Sequence, residues 1–197
     1  MTILEQNREL AEALLLQAHK FYALKLQMSD GGNLSVRIPG TEWMIVKGSN
    51  ADFGSLSMEA LTVTDFFGNA VEGSVKPSKE SLLHGAMYRQ FAGIGAVLHC
   101  HSPWATAFAA KHEELSFATH HARLKLGGAC PVFDTQSYVV PEEYFPSILS
   151  AMEQRPPMRA FLLRGHGQVA WGETMRAAAM TAELVEETAM IALLSQR

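Results

Sequence analysis

The chain has 197 residues, 48% of them hydrophobic and 18% charged, a balance that suits a compact globular protein and excludes a disordered or highly solvated one. A formal charge of −4 without any Lys/Arg run excludes an electrostatic footprint for nucleic acid or an anionic membrane. No stretch reaches about 18 apolar residues, no signal-peptide pattern opens the chain, and Cys100 and Cys130 read as reduced thiols, so a cytoplasmic protein forming one domain over residues 1–197 is expected.

Leu10, Leu14, Ala18 and Phe21 recur at helical spacing and predict a first helix from about Ile3 to Leu26. Gly31 and Gly32 follow it, and then Leu34, Val36 and Ile38 alternate with polar residues as a half-buried strand that "EWMIV" should pair. After the loop "KGSNADF", a strand is expected around "ALTVTDFFGNAV", turning at Gly68-Asn69. "KPSKESLLHGAMYRQF" reads as a helix capped by Ser78 with Pro77 just before it. Next come the strand "GAVLHCH", a helix from Pro103, a mixed segment "ACPVFDTQSYVV" and a helix near "PEEYFPSILSAMEQ". A strand "RAFLLRGHGQVAWG" and a helix from Thr174 close the chain. This alternation predicts an α/β protein with helices packed on an antiparallel or mixed sheet.

Side chains alternate along a strand, so His99 and His101 share one face about 7 Å apart at Cα while Cys100 points away. The pair suits a shared metal ion, or else two isolated polar residues satisfied by backbone or water. His166 ends another apolar run between Gly165 and Gly167, where the backbone is free to turn tightly. Three histidines with one open position is the pattern of a catalytic site for a divalent metal. "KHEELS" fails as a zinc-protease motif because Ser116 stands where the second histidine belongs.

Glu80 and His84 lie one helical turn apart on one face, and either can approach such a metal; Glu80 alone is equally explained by the helix dipole. Ser78 and Lys79 at a helix start, Lys47-Gly48-Ser49 and Gly32-Asn33 are three donor-bearing segments that together could enclose a phosphate.

Taken in order, "GGNLSVR", "KGS", "KPSKE", "HCH" and "RGHG" resemble the class II aldolase/adducin family over about residues 10 to 190. The resemblance implies a three-layer α/β/α sandwich with a central, mainly antiparallel sheet. It implies one divalent metal per chain on His99, His101 and His166, zinc first and manganese or cobalt as alternatives, with Glu80 as an acid/base that also ligates the metal at rest. His84 then sits behind this set. The family's phosphate site falls on Gly32, Asn33, Gly48 and Ser78, with Lys47 and Lys79 in place of small hydroxyl residues. The position of a tyrosine acid that a neighbouring subunit supplies falls at His121, so that role is either altered or taken by histidine, His121 or His120. A homotetramer with sites between subunits is also implied.

The implied activity is that of a carbon–carbon lyase, an aldolase or decarboxylase, acting on a small phosphorylated sugar or sugar acid through a metal-stabilised enediolate. "KPSKE" and "TAELVEETAMIALL" look closest to the branch that decarboxylates 3-oxo-tetronate 4-phosphates. An epimerase or dehydratase on the same metal, or a non-catalytic adducin-like scaffold, are the alternatives.

Overall fold

The computed structural model describes residues 1–155 and 157–195; Pro156, Gln196 and Arg197, part of the domain expected over 1–197, lie outside the described residues. The expected first helix is divided. Thr2 and Glu5 close a capping box on the four-residue α1 (Ile3–Gln6), and Asn7 departs from helical geometry before α2 (Arg8–Ala23) begins. Glu72 fixes the short piece, since its carboxylate accepts the N–H groups of Ile3 and Leu4 at 2.6 and 2.9 Å.

Among the described residues nine strands form one sheet: β1 (Asn33–Arg37), β2 (Trp43–Lys47), β3 (Leu61–Asp65), β4 (Ala70–Glu72), β5 (Ala96–Cys100), β6 (Glu114–Leu115), β7 (Cys130–Phe133), β8 (Ala160–Leu163) and β9 (Gly167–Gly172). Their order is β4-β3-β2-β1-β5-β9-β8-β7-β6, and every pairing is antiparallel except β7 with β8. The remaining helices are α3 (Ser81–Gln90), α4 (Pro103–Ala109), α5 (His120–Leu126), α6 (Phe145–Gln154) and α7 (Met175–Leu194).

Strand alternation sorts the core into two layers. Leu34, Val36, Leu98 and Ala170 pack with Leu14 and Phe21 of α2, Phe108 of α4 and Val185 of α7. Met44, Val97, Phe161, Val169 and Trp171 pack on the opposite face with Met87 and Tyr88 of α3 and Ile148 of α6. The result is the α/β/α sandwich with a mainly antiparallel centre that the family resemblance implies. On β5 this parity puts His99 on the same face as Val97, and Cys100 in the other core with Leu98.

Two local expectations are corrected and one is borne out. "RAFLLRGHGQVAWG" is a hairpin, with β8 and β9 paired Leu163 to Gly167 and His166 in the turn. The turn expected at Gly68-Asn69 in "ALTVTDFFGNAV" is present between β3 and β4, where Asp65 accepts from the N–H groups of Phe67 and Asn69 and closes it. The helix after "KPSKE" starts at Ser81 with Glu80 at its N-cap position, not at Ser78. Ser78 lies ahead of the helix instead, its N–H donating to the Lys47 carbonyl beside the Gly48–Pro77 bridge and its carbonyl accepting the Ser81 N–H.

Candidate metal centre and substrate cavity

β5 and β9 are paired neighbours, so the end of β5 and the β8–β9 turn emerge side by side. His99 Nε2 lies 3.0 Å from His101 Nε2 and 3.2 Å from His166 Nε2. The turn comes this close because residue 167 has no side chain: a Cβ there would stand 2.3 Å from the Cys100 carbonyl oxygen. Gly31 does the same for His101, whose ring would meet a Cβ at 2.8 Å.

Three imidazole nitrogens packed this closely match a cation better than they match one another. Ligands 2.0–2.1 Å from a tetrahedral zinc stand about 3.3 Å apart, close to the spacing observed. His99 Nδ1 faces the Gln168 carbonyl at 2.9 Å and donates to it, which leaves the Nε2 lone pair for a metal. Burial pulls His99 down to about 3 and His166 down to about 4, with neighbouring imidazoles adding to the shift, and burial also lowers His101. All three are neutral near pH 7, the state in which imidazole ligates.

Glu80 completes the cluster from the N-cap position of α3. Its Oε2 lies 3.4 Å from His99 Nε2 and accepts from Asn33 Nδ2 at 2.8 Å, while Oε1 accepts from the Val140 N–H at 3.4 Å. Asn33 is brought there by register, being paired with His99 across β1 and β5. His84 is fully buried one turn beyond Glu80; Ser35 Oγ contacts both its Nδ1 and the Tyr88 hydroxyl at 2.8 Å. Burial pulls His84 down to about 3 despite the nearby Glu80.

The cluster forms the floor of a cavity of about 810 Å³. Gly32, Asn33, Lys47, Ser78, Lys79, Glu80 and the three histidines line it, as do Ser49, Asn50, Arg164 and residues 136–139. The anion-binding expectations fare unevenly. Gly48 is not among the lining residues, and its N–H is taken by the Ala60 carbonyl at 2.8 Å. Lys47 is buried, its ammonium already donating to the Asp30 carbonyl at 3.2 Å and to the Ala51 carbonyl. Desolvation pulls it down to about 8, against the pull of Asp30 and Asp52. Lys79 is exposed, with its ammonium 5.6 Å from the centre of the Tyr138 ring. His121 is exposed on α5 and does not line the cavity of its own chain.

Sequence reasoning missed the residues that hold the histidines. Gln27, which nothing in its local pattern distinguishes, accepts the His101 N–H at 2.7 Å and is itself buried. Gln168 lies opposite Cys100, a position legible only once the β5–β9 register is known. Arg164 also lines the cavity, with its guanidinium engaged by Glu113 at 2.6 Å and Asp134 at 3.2 Å.

The family described as class II aldolase and adducin N-terminal domain matches residues 12–193. Methylthioribulose-1-phosphate dehydratase of Pectobacterium carotovorum subsp. carotovorum (strain PC1) is 32% identical, over 88% of this chain and 87% of that protein. The 3-oxo-tetronate 4-phosphate decarboxylase of Haemophilus influenzae (strain ATCC 51907 / DSM 11121 / KW20 / Rd) is 30% identical, over 91% of this chain and 85% of that protein. A solved L-fuculose 1-phosphate aldolase superposes with a TM-score of 0.85 at 29% identity, covering 95% of this chain and 86% of the other. Among the described residues no helix is long and apolar enough to cross a membrane. The chain belongs to the class II aldolase and adducin family, as an enzyme of its divalent-metal-dependent lyase type.

Proposed function

We propose that this enzyme is a cytoplasmic, homotetrameric lyase that eliminates water from a small phosphorylated ketose, the proton leaving the carbon next to the carbonyl and the hydroxyl leaving the carbon beyond it as water, with His99, His101 and His166 holding one divalent ion, zinc first, and Glu80 moving the proton. The observation that carries this reading is the convergence of three imidazole Nε2 atoms and one carboxylate oxygen on the cavity floor. The bound ion would polarise the substrate carbonyl and stabilise the negative charge that develops beside it. Glu80, only 6% exposed and steadied by Asn33 and Val140, is placed to take a proton from the carbon next to that carbonyl. Ser78, Lys79 and the Gly32-Asn33 turn face the same cavity and would hold the phosphate end. His121 would serve as an acid in the cavity of a neighbouring copy, since it lies outside its own. One domain spanning the chain completes the reading.

Dehydration is favoured over decarboxylation by the supply of positive charge. Of the three cations lining the cavity, Lys47 and Arg164 are committed to partners of their own, leaving Lys79 for the substrate. One cation suits a phosphate; a phosphorylated keto acid brings a second anion. Methylthioribulose-1-phosphate dehydratases of several bacteria, 28–33% identical, point the same way. Decarboxylation is the second reading, supported by the Haemophilus relative and by "KPSKE". Purified enzyme should be offered methylthioribulose 1-phosphate, a 3-oxo-tetronate 4-phosphate and a ketohexose 1-phosphate, with water loss, carbon dioxide and aldehyde followed in parallel. Turnover of the first by water loss is expected; carbon dioxide release from the second alone would establish the second reading instead.

A further inference from the structure

The start of α4 has an unusual cap. Two residues past His101, the helix opens on Pro103, which has no N–H, and leaves the N–H groups of Trp104 and Ala105 to be satisfied. Ser102 occupies the N-cap position but its hydroxyl does not cap; it lies 2.7 Å from Gln168 Nε2 and accepts from it. Both backbone donors instead reach Glu186 of α7, at 2.9 and 2.8 Å, one to each carboxylate oxygen. Glu186 is only 7% exposed. A buried carboxylate 81 and 82 residues downstream of the N–H groups it accepts therefore does what the local serine does elsewhere.

The diverted serine connects this cap to the metal-binding strand. Gln168 Nε2 donates to Ser102 Oγ and to the Ala182 carbonyl of α7 at 3.0 Å, while the Gln168 carbonyl accepts His99 Nδ1–H. The residues from 99 to 105 are thus pinned at both ends, to β9 by Gln168 at His99 and Ser102, with Gln168 itself tied to α7, and directly to α7 by Glu186 at the first turn of α4. Neither Glu186 nor Ser102 lines the cavity.

We propose that Glu186 is a positioning residue for the metal centre: by capping α4 it frees Ser102 to hold Gln168, and so fixes the rotation of the His99 ring and the place where β5 ends. This rests on the assignment of His99, His101 and His166 as the metal-binding set. Charge matters to the role, because a carboxylate offers two acceptors where an amide offers one, and the second N–H would be left buried without a partner. Losing an interaction that orients a ligand typically weakens metal binding by 10- to 100-fold.

The test is a Co²⁺ titration of metal-free protein, read by the visible spectrum, on the wild type and on Glu186→Gln, Ser102→Ala, Val185→Ala and His99→Ala, each first shown to be folded. Val185 is a buried neighbour of Glu186 in the core and its side chain makes none of these hydrogen bonds, so its variant controls for lost stability. The expected result is a dissociation constant raised about 10- to 100-fold in Glu186→Gln and about 10-fold in Ser102→Ala, with Val185→Ala within about 3-fold of wild type. Wild-type affinity in a folded Glu186→Gln overturns the proposal, as does an equal loss in Val185→Ala. If Glu186→Gln does not fold, Ser102→Ala decides, and unchanged affinity there overturns it too. Failure of the underlying site assignment looks different: His99→Ala would then bind Co²⁺ as the wild type does.

Discussion

Glu80 and Lys79 are sequence neighbours with separate fates, one drawn onto the cavity floor and the other left at its mouth. Glu80→Gln keeps the shape and an acceptor for Asn33 but cannot take a proton, so kcat should fall roughly 10²- to 10⁴-fold with KM little changed. Unchanged kcat would reject Glu80 as the base. Lys79→Ala removes a charge from solvent-accessible surface, where such contacts are worth about 1 kcal/mol, so steady-state kinetics should show KM raised roughly 5-fold with kcat nearly intact. The histidines were legible from sequence because strand parity alone puts positions 99 and 101 on one face. Gln27 and Glu186 were not, since a side chain that reaches another element's backbone leaves no periodic trace in its own segment.

At the scale of elements, the site depends on a hairpin whose turn folds back over the end of β5. The sequence reads there as one long strand, because the apolar runs on either side of "RGHG" have the same character and only the two glycines mark the turn. α5 went unread for a related reason: seven residues give too little periodicity, although Thr119 caps it by accepting the Ala122 N–H at 3.0 Å. The close approach at residue 167 gives a sharp test. Gly167→Ala would drive a Cβ against the Cys100 carbonyl, so the β8–β9 turn must shift and carry His166 away. Thermal melting should show a midpoint lower by several degrees, and metal content should fall below half of the wild-type value. A Gly167→Ala protein with wild-type melting and full metal would show that the turn has room that its geometry denies.

The whole molecule brings two helical layers onto one sheet and leaves imidazoles buried at its centre. His84 and His99 titrate near 6.5 when exposed and are held near 3 by burial, so between those values the unfolded chain binds protons that the folded chain refuses. Stability is therefore full above about pH 6.5 and declines as pH falls below it. The melting midpoint of metal-free protein should drop between pH 7 and 5, and drop less in His84→Gln; a midpoint flat across that range would contradict the burial argument. Fold class was legible because strand and helix patterns alternate along the chain, whereas strand order, with β5 between β1 and β9, was not, since pairing across such separations is set by packing. That same order is what joins His99 and His101 to His166, so that the three can bind one ion together. Metal content of purified wild type and His166→Ala, measured by elemental analysis after equilibration with equimolar zinc, tests this most directly. About one zinc per wild-type chain and none in a folded His166→Ala is the predicted result; one zinc per chain in both would contradict it.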